Sequence, residues 1–138
     1  MMSLMSLSKA RKLKILVVDD LPDAAESLAF LLAEMGYEAE FEIRPETVLE
    51  RARRLKPDAI FLDLGMPDID GFRLAKLLRS EFGESLRLVA ITGYGADEDR
   101  KRTREAGFDA HVLKPIDLPL LESILATVLL DPRLAPLR

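Results

Sequence analysis

The sequence predicts an α/β domain, a doubly wound five-stranded parallel sheet with five helices. Three observations lead there. Short apolar runs rich in Val, Ile and Leu recur at residues 15–18, 59–62 and 86–91, the last interrupted by Arg87 alone, without regular polar alternation, the pattern of strands covered on both faces. Between the strands lie segments whose apolar residues return every three or four positions, the period of a helix packed on one side. Proline or glycine stands at most of the junctions. Strands alternating with helices imply parallel pairing, and right-handed crossovers distribute the helices over both faces of the sheet.

The elements follow in order. Ile15, Leu16, Val17 and Val18 form the first strand, and Asp19 and Asp20 end it. Pro22 opens the first helix, being tolerated in a first turn. Leu28, Leu31, Leu32 and Met35 are expected on its inner face, and Gly36 stops it. Residues 37–43 alternate acidic and apolar side chains, which predicts a half-exposed edge strand with Glu38, Glu40 and Glu42 toward solvent. Pro45 opens the second helix, with Val48, Ala52 and Leu55 inward, and Pro57 ends it. The third strand, residues 59–62, carries Asp63 at its end, and Gly65 and Pro67 break it.

Gly71 precedes a third helix with Leu74, Ala75, Leu78 and Phe82 inward. The fourth strand ends at Thr92, and Gly93, Tyr94 and Gly95 form a loop. The fourth helix, residues 97–105, is polar nearly all round, so little apolar area holds it down. Residues 108–113 form the fifth strand, followed by Lys114 and Pro115. Asp117 caps the last helix, whose inner face is Leu121, Ile124, Leu125 and Val128. Leu120 and Leu129 widen that face beyond one core contact. Residues 1–13, with Lys9, Arg11 and Lys12, read as a basic tail, 14–130 as the domain, and 131–138 as a second tail.

Composition narrows the function classes. The chain has 138 residues, 49% apolar and 32% charged, which fits one soluble globular domain. It has no cysteine, so disulfides, thiolate metal sites and thiol nucleophiles are excluded, as a cytoplasmic protein permits. The net charge of −4 argues against a nucleic-acid surface spread over the domain. No apolar run approaches the roughly eighteen residues of a membrane span.

The candidate site is assembled from strand ends. In a doubly wound sheet ligands bind beyond the carboxyl ends of the strands, where the strand order reverses. Asp19 and Asp20, Asp63, Thr92 and Lys114 each stand directly after an apolar strand. Clustered carboxylates repel. A pair about 4 Å apart costs roughly 1 kcal/mol in water and about 4 kcal/mol at an effective dielectric of 20. A hard cation offsets that repulsion. Mg²⁺ suits a site of one or two carboxylates, waters and a phosphate, and Lys114 adds a second positive charge. A carboxylate beside Mg²⁺ can attack phosphorus to form an aspartyl phosphate, with metal and lysine stabilising the phosphoryl oxygens.

These residues resemble the motifs of a known family. Ile15-Leu16-Val17-Val18-Asp19-Asp20 is similar to the acidic first-strand motif of response regulator receiver domains of two-component signalling, the CheY-like family. Leu62-Asp63-Leu64-Gly65-Met66-Pro67-Asp68-Ile69-Asp70-Gly71 resembles its phosphorylation loop, Ala90-Ile91-Thr92-Gly93 its threonine motif, and Leu113-Lys114-Pro115 its lysine motif. The resemblance implies the (βα)5 flavodoxin-like, CheY-like fold. It implies Asp63 as phosphoacceptor, Asp20, Asp63 and the Gly65 carbonyl as direct Mg²⁺ ligands, and Asp19 acting through a metal-bound water. It gives Thr92 and Lys114 to the phosphoryl group and a cis peptide to Lys114–Pro115. His111 occupies the place of the family's aromatic switch residue. It is expected to turn inward as Thr92 moves, in packing that acid would weaken. Gly65 and Tyr94 are expected to tune the lifetime of the phosphoryl state toward the long-lived.

The implied partners are a histidine kinase or histidine phosphotransfer protein as donor and a downstream protein effector. The fourth helix, fifth strand and last helix form the expected signalling or dimer face. With no output domain after residue 128, the reading is a stand-alone receiver or one cut from a hybrid histidine kinase, which the loop wording favours. Each residue also has a plain alternative: helix cap for the acid pair, solvent-exposed loop acid for Asp63, strand end for Thr92, surface lysine for Lys114, structural histidine for His111. Two rivals stand beside the switch. One is a Mg²⁺-dependent phosphatase with Asp63 as covalent nucleophile, which needs a second acid and a cap. The other is a degenerate receiver used as a docking module.

Overall fold

The structure, a computed structural model, describes residues 12–67, 69–93 and 97–130, with the side chains of 97–99 and 130 outside that description. The expectations for Tyr94, Asp68 and the two tails, apart from residues 12 and 13, therefore fall outside the described residues.

Apolar β-branched residues build the central strands. Strand β1 (Lys14–Val18) is buried from Ile15 onward. The next strands of the sheet, β3 (Ala59–Asp63) beside it and β4 (Arg87–Thr92) beyond that, are buried along their whole length. Strands β2 (Glu38–Glu42) and β5 (Ala110–Leu113) close the two edges. All pairings are parallel and the order is β2-β1-β3-β4-β5. The order reverses between β1 and β3, which opens a crevice at their carboxyl ends.

Helices α1 (Pro22–Glu34) and α5 (Leu118–Leu130) cover one face of the sheet. Helices α2 (Val48–Leu55), α3 (Gly71–Phe82) and α4 (Asp97–Ala106) cover the other. A 3₁₀ turn at Pro45–Thr47 leads into α2. The Asp70 carboxylate caps α3 by accepting from the backbone N–H of Phe72 and of Arg73. Asp117 caps α5, accepting from Leu120 N. Gly36 and Gly107 follow α1 and α4 with φ of 103° and 101°, a conformation open to glycine and strained for other residues. No helix among the described residues is long and apolar enough to cross a membrane.

Four details differ from expectation. The contact stripe of α1 is Ala25, Ala29 and Leu32, while Leu28, Leu31 and Met35 only flank it. The small alanines let the helix backbone sit close to the sheet. In β2 the acids do not all face water. Glu42 is 5% exposed and Phe41 36%. Arg51 of α2 reverses the pattern by reaching Glu42 at 2.8 Å and Glu40 at 2.7 Å, while Arg44 N donates to the second Glu42 oxygen. Burial works to raise the Glu42 pKa, but Arg44 N, the Thr47 hydroxyl and Arg51 together outweigh it and hold that pKa below its ordinary value. On α5, Leu129 is buried beside Val128, so that part of the wide apolar face is core rather than surface. Leu13, assigned to the tail, packs against the core, and its carbonyl accepts from Glu38 N.

Two arginines knit the structure from within. Arg87 is 1% exposed. Its guanidinium donates to the carbonyls of Val128, Glu84 and Ser85, tying β4 to the end of α5. Arg79 of α3 donates to the carbonyls of Gly83, Leu86 and Gly107 and to the Asp109 carboxylate.

Candidate functional site

The expected residues converge at the carboxyl ends of β1, β3, β4 and β5. Parallel register does this directly: Val18 lies beside Leu62, Asp63 beside Ile91, and Thr92 beside Leu113. The polar residue that ends each strand is delivered to one crevice. Asp19, Asp20 and Asp63 bring carboxylate oxygens within 4.8 Å of one another. Asp19 and Asp63 are buried, at 4% and 3% exposure, and Asp20 is half-buried.

Backbone donors fix two of the acids. Asp63 Oδ1 accepts from Gly65 N at 2.8 Å and Asp19 Oδ1 from Leu21 N at 3.0 Å. Each remaining oxygen faces Lys114. Its ammonium lies 3.0 Å from Asp63 Oδ2 and 3.7 Å from Asp19 Oδ2. The Lys114–Pro115 peptide is cis, as expected, and Lys114 N donates to the Thr92 carbonyl at 2.8 Å. Thr92 itself is 5% exposed at the end of β4. Gly65 is exposed, and a methyl group there would meet Asp63 Oδ1 at 3.3 Å, so the turn sits close over the carboxylate.

The electrostatics match the geometry. Burial pushes the Asp19 pKa above its ordinary value, against the help of Leu21 N, and the Asp63 charge adds to the rise. Burial works against the Lys114 charge. The hydrogen bond and charge of Asp63, joined by Asp19, more than offset this, so the Lys114 pKa stands above its usual range. One ammonium therefore serves a cluster of three acids, which leaves negative charge over. Oxygen ligands alone, two of them buried, with excess negative charge, fit a hard divalent cation.

His111 does not join the crevice. It stands on β5 in register with Ala90 and meets α4, where its Nδ1 lies 3.3 Å from Thr103 Oγ1. The sequence reading missed Glu42, whose backbone carbonyl accepts from Asp19 N at 3.2 Å and whose side chain anchors the start of the following loop. The regular acid–apolar alternation of β2 hid it. The signal was Arg51, a basic residue in the helix that follows.

A doubly wound sheet with three acids and a lysine at its switch point defines a phosphoryl- or metal-handling α/β domain. Comparison with known proteins narrows this. The sequence model of the response regulator receiver domain matches residues 15–126, and the chain belongs to that family. It is 35% identical over 107 residues to an uncharacterized 14.6 kDa protein of Leptolyngbya boryana, covering 77% of this chain and 82% of the relative. It is 33% identical over 112 residues to the sensor histidine kinase RcsC of Salmonella typhimurium, and 34% over 99 residues to the transcriptional regulatory protein CreB of Escherichia coli. These matches cover 81% and 72% of this chain but only 12% of RcsC and 43% of CreB. Among solved structures, a two-component response regulator from Clostridium difficile superposes with a TM-score of 0.79 at 26% identity, over 87% of this chain and 98% of the other. The Vibrio cholerae chemotaxis protein CheY4 does so with 0.81 at 25%, over 86% and 100%.

Proposed function

We propose that the chain is a phosphorylation-dependent switch of two-component phosphorelay signalling, spanning residues 14–130, with Asp63 as phosphoacceptor. The observation that carries this reading is the convergence of Lys114 on Asp63 inside the cluster of three acids. An Asp63 carboxylate oxygen attacks the phosphorus of a phosphohistidine on a histidine kinase or histidine phosphotransfer protein. The phosphorus–nitrogen bond breaks, its electron pair returns to the imidazole, and an aspartyl phosphate remains. Lys114 exchanges its carboxylate partner for a phosphoryl oxygen, and the Thr92 hydroxyl donates to another. Asp20, Asp63 and the Gly65 carbonyl would hold Mg²⁺, with Asp19 acting through a water, and the ion would supply further positive charge to the phosphoryl oxygens.

Thr92 and His111 lie two strand positions apart across the β4–β5 pair, one on each strand, on the face covered by α4. Movement of Thr92 toward the phosphoryl group is therefore felt at α4, and phosphorylation shifts the population of two arrangements. The α4–β5–α5 face then meets a downstream protein effector or a second copy. The same reading places the domain in the cytoplasm with its donor. It acts on itself rather than turning over a substrate. The likeness to both RcsC and CreB leaves the hybrid-kinase and regulator contexts equally supported.

The test is Mg²⁺-dependent labelling by a small phosphodonor, read by intact mass, on wild type and Asp63→Asn. Labelling of wild type alone is expected. Equal labelling of both overturns the reading, steady turnover of a phosphate ester favours the phosphatase, and failure to label in Mg²⁺ favours the docking module.

A further inference from the structure

A cavity of about 220 Å³ opens beside Asp20, one of the three clustered acids. Two loops wall it. Arg44, Pro45 and Glu46 lead from β2 into α2, and Met66 and Ile69 belong to the stretch that follows Asp63. Lys114 lines a different cavity, together with Asp19. Arg44 is the one cation among the residues that line the cavity at Asp20.

The loop that presents Arg44 is fixed from below. Glu42 ends β2 buried, with Arg51 on one carboxylate oxygen at 2.8 Å. The other oxygen accepts from Arg44 N at 3.0 Å. The Thr47 hydroxyl donates to the Arg44 carbonyl at 2.9 Å, and Pro45 begins the 3₁₀ turn. The Arg44 backbone is thus held at both its N–H and its carbonyl, while 68% of its side chain is exposed. Its Nε lies 3.7 Å from Glu42 Oε2, too long for a hydrogen bond, and Glu42 is already served by Arg51 and Arg44 N. A guanidinium has five N–H donors, and here most remain for a guest. Asp20 and the exposed Glu46, the two acids of the cavity, make it poor in positive charge without Arg44.

Transfer to Asp63 sends away the other half of the donor, on the side of phosphorus roughly opposite the attacking oxygen. The cavity adjoins the cluster through Asp20 and is walled by the loop after Asp63, so the departing half has room there. What departs depends on the donor. With a carboxyl phosphate, an Asp63 oxygen attacks phosphorus, the bond from phosphorus to the acyl oxygen breaks, and its electron pair leaves on a carboxylate. With phosphoramidate the phosphorus–nitrogen bond breaks, and its electron pair leaves on an already protonated nitrogen as neutral ammonia. Only the first develops an anion that a guanidinium can stabilise.

We propose that Arg44 is a donor-specificity residue, which receives the anionic leaving group of a carboxyl phosphate in the cavity beside Asp20. The inference rests on the switch reading above and adds to it a preference among donors. Arg51 and Glu42 serve it by holding the loop, and Arg44 alone meets the leaving group.

The test is the initial rate of Asp63 labelling in Mg²⁺, read by intact mass, with acetyl phosphate and with phosphoramidate as donors. Arg44→Gln should slow labelling by acetyl phosphate about fivefold, the size of one exposed ion pair, and leave labelling by phosphoramidate within about twofold. Arg44→Lys, which keeps the charge, should stay within about twofold of wild type with acetyl phosphate. Mg²⁺ affinity by calorimetry should be the same in wild type and Arg44→Gln. Equal slowing with both donors, no slowing with either, a rate lost in Arg44→Lys as in Arg44→Gln, or a Mg²⁺ affinity that falls with the rate each overturns the proposal. Failure of wild type to label with either donor overturns the switch reading and this inference with it. A labelled wild type beside an unselective Arg44→Gln removes only the role of Arg44.

Discussion

Lys114 holds its ammonium 3.0 Å from Asp63 Oδ2, on the side of that carboxylate opposite the backbone donor Gly65 N. One Asp63 oxygen is thus fixed by the turn and the other by a side chain that can change partner. Replacing Lys114 with Met should slow labelling of Asp63 about a hundredfold, the usual cost of losing one preorganised charge-stabilising donor. Lys114→Arg should restore little, because a planar fork is not a compact ammonium. Initial rates of acyl phosphate formation by intact mass check this, and a rate within about threefold of wild type, small against that cost, would sink it.

The pH dependence of the metal-free domain has a defined sign at each end. The Asp19 pKa is raised, so the folded state holds that proton to a higher pH than the unfolded chain does. Its contribution is fully present below the ordinary aspartate range and is lost as pH rises through the folded pKa. The Lys114 pKa is also raised, so its contribution is present below the ordinary lysine range and is lost only as pH climbs above it. Protons and Mg²⁺ compete for Asp19, so added Mg²⁺ should stabilise more near neutrality than in mild acid. Urea midpoints with chelator and with Mg²⁺, on wild type and Asp19→Asn, measure both effects. Asp19→Asn should flatten the acid limb without chelator-dependent change.

Most of this site was readable because its residues are strand ends. An apolar run names its own terminus, and parallel register carries Asp19, Asp63, Thr92 and Lys114 to one edge. What stayed hidden depends on partners from other elements. Glu42 is buried where Arg51 reaches it from α2 and Arg44 N meets its second carboxylate oxygen. Arg87 is buried where the carbonyls of Glu84, Ser85 and Val128 meet its guanidinium. His111 Nε2 is buried with no hydrogen-bond partner among the described residues, an outcome of packing that no residue pattern encodes.

The wide apolar face of α5 divides at Leu129. That residue is 5% exposed, whereas Leu118 at the start of the helix is 43% exposed. Leu129→Ala should cost about 2–4 kcal/mol, the range for emptying a leucine site in a core. Leu118→Ala should stay within about 0.5 kcal/mol and, if the face serves a partner, weaken that association instead. Urea unfolding of both variants decides it; similar small costs would return Leu129 to the surface.

Arg79 is the hinge pin of the α3–α4 side. Its Nη1 serves the Gly83 and Leu86 carbonyls that end α3 and lead into β4, while Nε and Nη2 serve the Gly107 carbonyl that ends α4. Nη2 also reaches Asp109, which in turn accepts from Leu88 N. One guanidinium therefore satisfies three turn carbonyls and a half-buried acid. Arg79→Met keeps much of the stem but leaves those groups without their donor, and should cost about 3 kcal/mol. Arg79→Lys should recover less than half of that, since a single ammonium cannot span both turns. The variant leaves the acid cluster intact, so Mg²⁺-dependent labelling of Asp63 should persist while the α4 amides lose protection. A loss below about 1 kcal/mol, or labelling lost along with α4 protection, would mean that the turns are held by other groups or that the site depends on them.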